Sequence, residues 1–582
     1  MTRLEKKALF CLLGLLPLLL VFTQWDFVFH QASLPRYFLA VLWSLVVLIF
    51  FVQHFRLTQA STALSVYVIW AGISLLWSGA SLEQLIAFSH WLVFGVFIVV
   101  LMNALKNNNY VNLLLWGLFG SLVISSLIGL YQAFSGQEFI YLQLAPPSAS
   151  FVNRNFAASA SMMLLPFAVW KTVLSKESKS PNLNLLAFLG LLLLLFYIGI
   201  VQSRGVLLAI IGFCCLFCLW QRVNCVGMPD FDRKRRIRLL ALCIVLVFGW
   251  VLSPAQKSLD VLNPDSSISI RYDTWHSSYA AFIEQPMFGH GVGSFRSAAY
   301  QSISGDKLRE ASNEDRQITH AHNEYLEILV ELGMIGLAFW LLVIGLLIRQ
   351  LFKAKELDFK VVSLLALSGV AIHSFFSFPL HNGGTALIAA SLFAISQFDE
   401  KPLFVANRLR GVKVGMAFSL TLILSGFVFF FFYSSNLARV YQLGGKNINC
   451  DKVEAYESSL NSSYWLSDYP SRSVYSQALL ICKKPSARSS RFIEELANED
   501  PTFVRGHLMV AEKEFQRGDH QKVKQRMDSL LHTHKELVEP WLMLIKVAHA
   551  QGDQQTIDQY LKNAEASGNK SEMINWYRAR YQ

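Results

Sequence analysis

The feature that most limits what this chain can fold into is a set of apolar runs too long for a soluble core. Examples are "LLAFLGLLLLLFYIGIV" from Leu185 and "MAFSLTLILSGFVFFFFY" from Met416. About 20 apolar residues span a bilayer as a helix, and backbone groups in hydrocarbon must be satisfied within the segment. Such runs predict spans near 8–22, 37–55, 61–77, 82–105, 111–134, 156–174, 183–201, 206–220, 239–252, 323–348, 361–379, 384–397 and 414–434. The expected fold class is all-α: a polytopic helical membrane protein of about 13 spans. Composition agrees, because only 16% of the 582 residues are charged, against about a quarter in soluble proteins.

The net charge of +11 suggests nucleic acid only if its location is ignored. The basic residues gather in alternate short loops, among them Arg3, Lys6 and Lys7, then Lys171, Lys176 and Lys179, then Arg233, Arg235, Arg236 and Arg238. This is the positive-inside pattern, and it accounts for the charge without a nucleic-acid partner. It predicts a cytoplasmic N-terminus and a C-terminus on the outer side. The first run follows a basic start, as a signal peptide would. Pro17 interrupts it and no small-x-small site follows, so it reads as retained.

Four parts follow: 1–252 with nine spans, a polar outer loop over 253–322, four more spans over 323–434, and a soluble helical domain over 435–582. A long loop inside a membrane domain is usually functional, and this one predicts an amphipathic helix around Arg271 to Ile283. In the tail, Gly518-Asp519 and Gly552-Asp553 lie 34 residues apart. That is the tetratricopeptide period, each pair falling between two helices, with Trp541 placed to anchor their packing. Such a bundle is either a scaffold or a polypeptide-binding surface. Cys450 and Cys482 share the expected oxidising side, which predicts a disulfide.

The densest chemistry is "THAHNEYLEILVELGMIG" from Thr319. Ionisable groups in hydrocarbon are costly unless paired or wet. Glu324, Glu327 and Glu331 fall at i, i+3 and i+7, on one helix face that must line protein or a wet cavity. A single histidine here would read as an interfacial side chain. The whole cluster of His320, His322, Asn323 and Glu324 reads as a site. In an extended segment His320, His322 and Glu324 would face one way, as metal ligands could, but the helix starting near Asn323 breaks that alternation. Outer loops should be poor in arginine, yet Arg154 and Arg204 fall there and Arg271 heads the loop helix. Guanidinium matches phosphate oxygens bidentately, so a lipid-linked phosphate or diphosphate is the expected ligand. His373, inside the eleventh span, is either a core histidine or a site residue. With no Gly-rich phosphate loop or nucleophile elbow in the chain, an already activated lipid donor fits better than a bound nucleotide.

In "SRG" at Ser203, "RYDTWHSSYAAFIEQPMFGHGVGSF" from Arg271 and "HAHNEYLEILVELGMIG" from His320, the chain resembles the O-antigen ligase and polymerase superfamily of bacterial envelope enzymes. "SFVNRNFAASASMMLLPF" from Ser150, "HSFFSFPL" from His373 and the helical tail resemble its PglL-type branch, the O-linked oligosaccharyltransferases. "HSFFSFPL" departs from that branch's more acidic, tyrosine-containing version. The resemblance implies an inner-membrane enzyme with a periplasmic tail. It would move an oligosaccharide from undecaprenyl diphosphate to serine or threonine hydroxyls of a periplasmic or pilin-like protein, without a metal or other cofactor. It maps the catalytic histidine to His322 and outer-face arginines to Arg204 and Arg271. Arg154, His320, Asn323, Glu324 and His373 become candidate substrate contacts. Transfer to lipid A–core, or polymerisation of O-antigen, would use the same cavity. A transporter would need paired repeats that are not evident, and a receptor would leave His322 dispensable.

Overall fold

The computed structural model describes residues 2–25, 33–52, 54–79, 82–136, 146–174, 181–225, 233–253, 267–301, 320–406, 417–427, 504–533, 537–567 and 571–581, with a few single residues between 411 and 498. Helices occupy the places where the apolar runs predict spans. They are α1 (Arg3–Phe22), α2 (Ser33–Phe50), α3 (Gln59–Ile73), α4 (Leu75–Ser78), α5 (Leu82–Ala104), α6 (Asn108–Ser135), α7 (Arg154–Met163), α8 (Leu165–Val169), α9 (Pro181–Val201), α10 (Arg204–Val223) and α11 (Arg233–Val251). The outer loop supplies α12 (Ser267–Glu284) and α13 (Phe295–Gln301), and α14 (Glu324–Lys353), α15 (Phe359–His373), α16 (Gly383–Ser396) and α17 (Ala417–Phe427) follow.

Among the described residues, eight helical segments are long and apolar enough to cross a membrane, counting α3 with α4 and α7 with α8. Three more, α15, α16 and α17, are shorter apolar helices. Glycines set the closest approaches, as small residues do where helices meet in lipid. On α10, Gly205 and Gly212 face His373 and Ile372 of α15; Gly199 on α9 meets Gly249 on α11. The second predicted span stops at Phe50 instead of running to 55, and Phe55–Leu57 pairs antiparallel with Phe404–Ala406. The backbone N–H of Arg56 donates to Asn103 Oδ1 at 2.9 Å, and its guanidinium donates to Phe398 O at 2.5 Å.

Two departures from simple spans build the site. First, α14 is broken at Gly333, whose φ of 66° and ψ of −170° are not helical. The segment Pro286 to Gly291, from "QPMFGHGVG", fills the break. His290 N and Gly291 N donate to Val330 O and Glu331 O at 2.9 and 2.7 Å. Met334 N donates to Pro286 O at 2.9 Å, and Ile335 N to Met287 O at 3.4 Å. Irregular backbone at membrane depth persists where protein satisfies it, and here a loop does. Trp70 Nε1 and Trp77 Nε1 clamp the junction by donating to Leu332 O and Gly289 O, each at 3.1 Å.

Second, the run expected as one span over 361–379 is helical only to His373. Glu324 draws the chain away: its carboxylate accepts from Ser374 Oγ and Leu380 N, each at 2.6 Å, while its own N–H donates to Ser374 O at 2.9 Å. Residues 374–381 therefore fold back over the start of α14 and end in a 3-10 turn, Pro379–His381.

Among the described residues from 504 onward, the tail shows two helical hairpins and a closing helix: α18 (Val504–Gln516), α19 (His520–Thr533), α20 (Val538–Ala550), α21 (Gln554–Ser567) and α22 (Ser571–Tyr581). Gly518 and Gly552 sit between the paired helices with φ of 80° and 72°, the left-handed conformation that ends a helix cheaply only with glycine. Trp541 packs in both small cores and donates to Ser567 Oγ at 2.9 Å. Cys450 and Cys482 lie outside the described residues.

Candidate functional site

The segment His320 to Glu324 is held by its backbone before any side chain acts. His322 has φ of 53°, a left-handed conformation that costs a non-glycine residue of order 1 kcal/mol or more and persists only when its surroundings enforce it. They do so on both sides. Ala321 N donates to Glu327 Oε2, and Ala321 O accepts from Trp275 Nε1 of α12, both at 3.0 Å. On the other side, Asn323 Oδ1 caps α14 by accepting from Tyr325 N at 3.0 Å and Leu326 N at 3.2 Å. Asn323 thus caps the helix through its Oδ1, and Glu324 holds the 374–381 segment.

The acidic face of α14 is buried: Glu324, Glu327 and Glu331 are 1%, 2% and 6% exposed. Glu327 is its centre. His320 Nδ1 lies 2.8 Å and His381 Nε2 3.2 Å from Glu327 Oε1. A carboxylate only accepts, so both facing nitrogens carry protons. His381 Nδ1 stands 3.7 Å from Glu324 Oε1, and Glu331 Oε1 accepts from Phe295 N at 3.3 Å. Phe378 joins the histidines, stacked on His320 at 4.2 Å between ring centres and edge-on to His322 at 4.9 Å.

The grouping His320, His322 and Glu324 does not form a ligand set. Instead His320, Glu327 and His381 bring one ligand atom each within 4.8 Å of one another. Those facing atoms are already engaged, because Glu327 Oε1 takes both imidazoles and Oε2 takes Ala321 N. The cluster is a hydrogen-bonded acid–histidine network.

The arginines gather on the other side. Burial, then the charge of Arg204, pulls Arg271 below the usual arginine value. Burial, then Arg271 and His320, pulls His322 down to about 4, against Glu327. Arg204, Arg271 and His322 thus share one neighbourhood, and His322 is neutral at physiological pH. His373 lies under Gly205, where an added Cβ would meet its ring at 3.0 Å. It is 1% exposed, and its Nδ1 has no hydrogen-bond partner among the described residues. Arg154 donates to Pro146 O at 3.3 Å, and its helix meets the site where Phe156 lies 5.3 Å from Phe378.

Residues 189–341 match the O-antigen ligase family, a stretch that holds Arg204, Arg271, His320, His322, Glu327 and Gly333. Two Rickettsia proteins with the provisional name "polysaccharide ligase" resemble the chain over 213 residues. The protein from R. typhi is 25% identical and that from R. prowazekii 24%; each match covers 34% of this chain and 48% of the relative. Through this stretch of its membrane part the chain is similar to the O-antigen ligase superfamily. An uncharacterised protein of Haemophilus influenzae is 24% identical over 294 residues, or 47% of this chain and 69% of that protein. The chain thus spans about half the length of these Rickettsia relatives.

Within the site, the roles of Phe378 and Ser374 and the central part of Glu327 were not legible from the motifs. Glu327 showed in the sequence only as part of an acidic face. His381 followed a Pro at a helix end, the one signal that could have marked it. Its charge state makes a measurable prediction. Burial alone would lower His381, but the surrounding carboxylates of Glu327, Glu324 and Glu331 together raise it from 6.5 to about 9. A raised histidine contributes stability in full below its unfolded value and loses it as pH rises through the folded one. The unfolding temperature of detergent-solubilised protein is therefore expected to fall between pH 7 and 10. His381→Gln should begin lower and lose that alkaline slope; an unchanged slope would assign it to another group.

Proposed function

We propose that this chain is an O-linked oligosaccharyltransferase of the bacterial inner membrane. It moves an oligosaccharide from undecaprenyl diphosphate to serine or threonine hydroxyls of periplasmic or pilin-like proteins, with its N-terminus cytoplasmic and its C-terminal helices periplasmic. The observation that carries this reading is that Arg271 faces both Arg204 and a His322 whose backbone is held in the left-handed conformation.

The chemistry follows from that arrangement. The acceptor hydroxyl attacks the sugar C1, and the bond from C1 to the diphosphate oxygen breaks with its electron pair leaving on the diphosphate. A hydroxyl is a poor nucleophile, so a positioned base takes its proton as the new bond forms; neutral His322 has that role. The departing diphosphate gains charge, which Arg204 and Arg271 stabilise. His373 Nδ1, buried and without a protein partner among the described residues, supplies a further contact to the donor. The donor arrives activated, so the reading calls for no cofactor.

The protein acceptor rests on the tail. Two hairpins stacked through α20, which contributes to both small cores, suit a polypeptide-binding surface of tetratricopeptide type, whereas a lipid acceptor can diffuse to the cavity in the bilayer. The relatives named as polysaccharide ligases favour a second reading, transfer to lipid A–core. Deleting the cell's copy separates them. It is expected to strip glycan from one or a few proteins and leave lipopolysaccharide bands intact; loss of polymer from lipid A–core with glycoproteins unchanged would establish the ligase, and shortened polymer the polymerase.

A further inference from the structure

We propose that His320, paired with Glu327, is a second proton-carrying residue of this site, taking over the proton that His322 removes from the acceptor hydroxyl. The proposal rests on the transferase reading above. Its basis is geometric. His320 Nδ1 is 2.8 Å from a carboxylate whose side chain is 3% exposed, while 28% of the His320 side chain remains open. Because the carboxylate accepts and cannot donate, Nδ1 carries the proton and Nε2 keeps its lone pair. A buried acid behind an imidazole sets the tautomer and stabilises the imidazolium that forms on proton uptake. Glu327 is thus equipped to act through His320, and it is a positioning residue.

Phe378 contacts the rings of both histidines, and a single residue, Ala321, separates them along the chain. Their surroundings differ in sign. His322 faces Arg271, which disfavours a lasting positive charge on it. His320 faces Glu327, whose Oε1 also meets His381, with the two imidazole centres 5.0 Å apart. A proton taken up at His322 is therefore driven toward the acidic side of the cluster. The step balances: the hydroxyl O–H breaks as its oxygen bonds C1, the diphosphate leaves with the C1–O electrons, and the proton passes from His322 to His320. It then leaves from the open part of the His320 ring to water.

The test uses full-length protein in nanodiscs, a lipid-linked oligosaccharide and an acceptor polypeptide. His320→Gln keeps size and a hydrogen-bond donor toward Glu327 but has no basic nitrogen. It is expected to lose roughly 10²–10⁴-fold in kcat with the donor KM unchanged, a split that a folding defect would not give. His320→Gly should recover turnover when imidazole is added. Glu327→Gln should also lose kcat, since an amide neither dictates the tautomer nor stabilises the cation. Wild-type turnover in His320→Gln, or a loss that imidazole does not relieve, overturns the relay. Activity removed by a chelator and restored by one divalent ion would make His320, Glu327 and His381 a metal site, and the relay would fall. Wild-type protein run alongside separates the failures: no transfer by wild type sinks the transferase reading, whereas normal transfer by His320→Gln sinks the relay alone.

Discussion

Replacing His322 with alanine is expected to reduce glycan transfer by about 10²–10⁴-fold, the usual cost of losing a general base, while the protein still inserts and folds. The two halves of that expectation have separate reasons. The imidazole is half-buried against Phe378 and Arg271, with no hydrogen bond from its ring that holds another element among the described residues. Its removal therefore costs little packing. The backbone at 322 is left-handed, and alanine is no better suited to that conformation than histidine. Asparagine is, because asparagine enters the left-handed region more readily than most residues. His322→Asn is thus the sharper variant: as stable as wild type, or more so, and inactive. Turnover at a fixed donor concentration, with unfolding temperature as control, checks both. Near-normal turnover in either variant would take His322 out of the mechanism.

The second large effect is on folding. Gly333→Ala is expected to destabilise the membrane part by more than about 4 kcal/mol, a size reached only by a few mechanisms. Two of them act together here. The φ of 66° with ψ of −170° belongs to a region open essentially to glycine alone. A Cβ at 333 would also run into the Met287 carbonyl and Phe288 N, which are backbone and cannot rotate aside. Pushing that loop away would strand Val330 O, Glu331 O, Met334 N and Ile335 N, and each buried polar group left unsatisfied costs about 1–3 kcal/mol. Membrane yield and thermal unfolding of the purified variant give the measurement. Gly345→Ala is the control, since an added Cβ there meets nothing within 4 Å; equal behaviour of the two variants would show that the broken helix is not needed.

Apolar length alone determined that the chain is a helical membrane protein and where its helices lie, because hydrocarbon leaves a backbone of this hydropathy few alternatives. The tail hairpins were legible for a similar local reason: the Gly-Asp pairs mark turns that only a left-handed residue closes well. Among site residues, His322, Arg204 and Arg271 were legible as charged or titratable groups where lipid or topology disfavours them. Their partners were not. The sequence places Glu324, Glu327 and Glu331 on one face, yet only the folded chain decides that Glu324 holds the 374–381 segment and that Glu327 joins His320 to His381. Those roles depend on contacts between residues about 50 apart along the chain, as from Glu324 to Ser374 and Leu380. The break at Gly333 had the same origin. A glycine inside an apolar run reads as a close helix approach, and the loop that makes it a break lies about 45 residues upstream. Local patterns record what each segment prefers, and tertiary structure assigns the partners that satisfy buried polar groups once the segments meet.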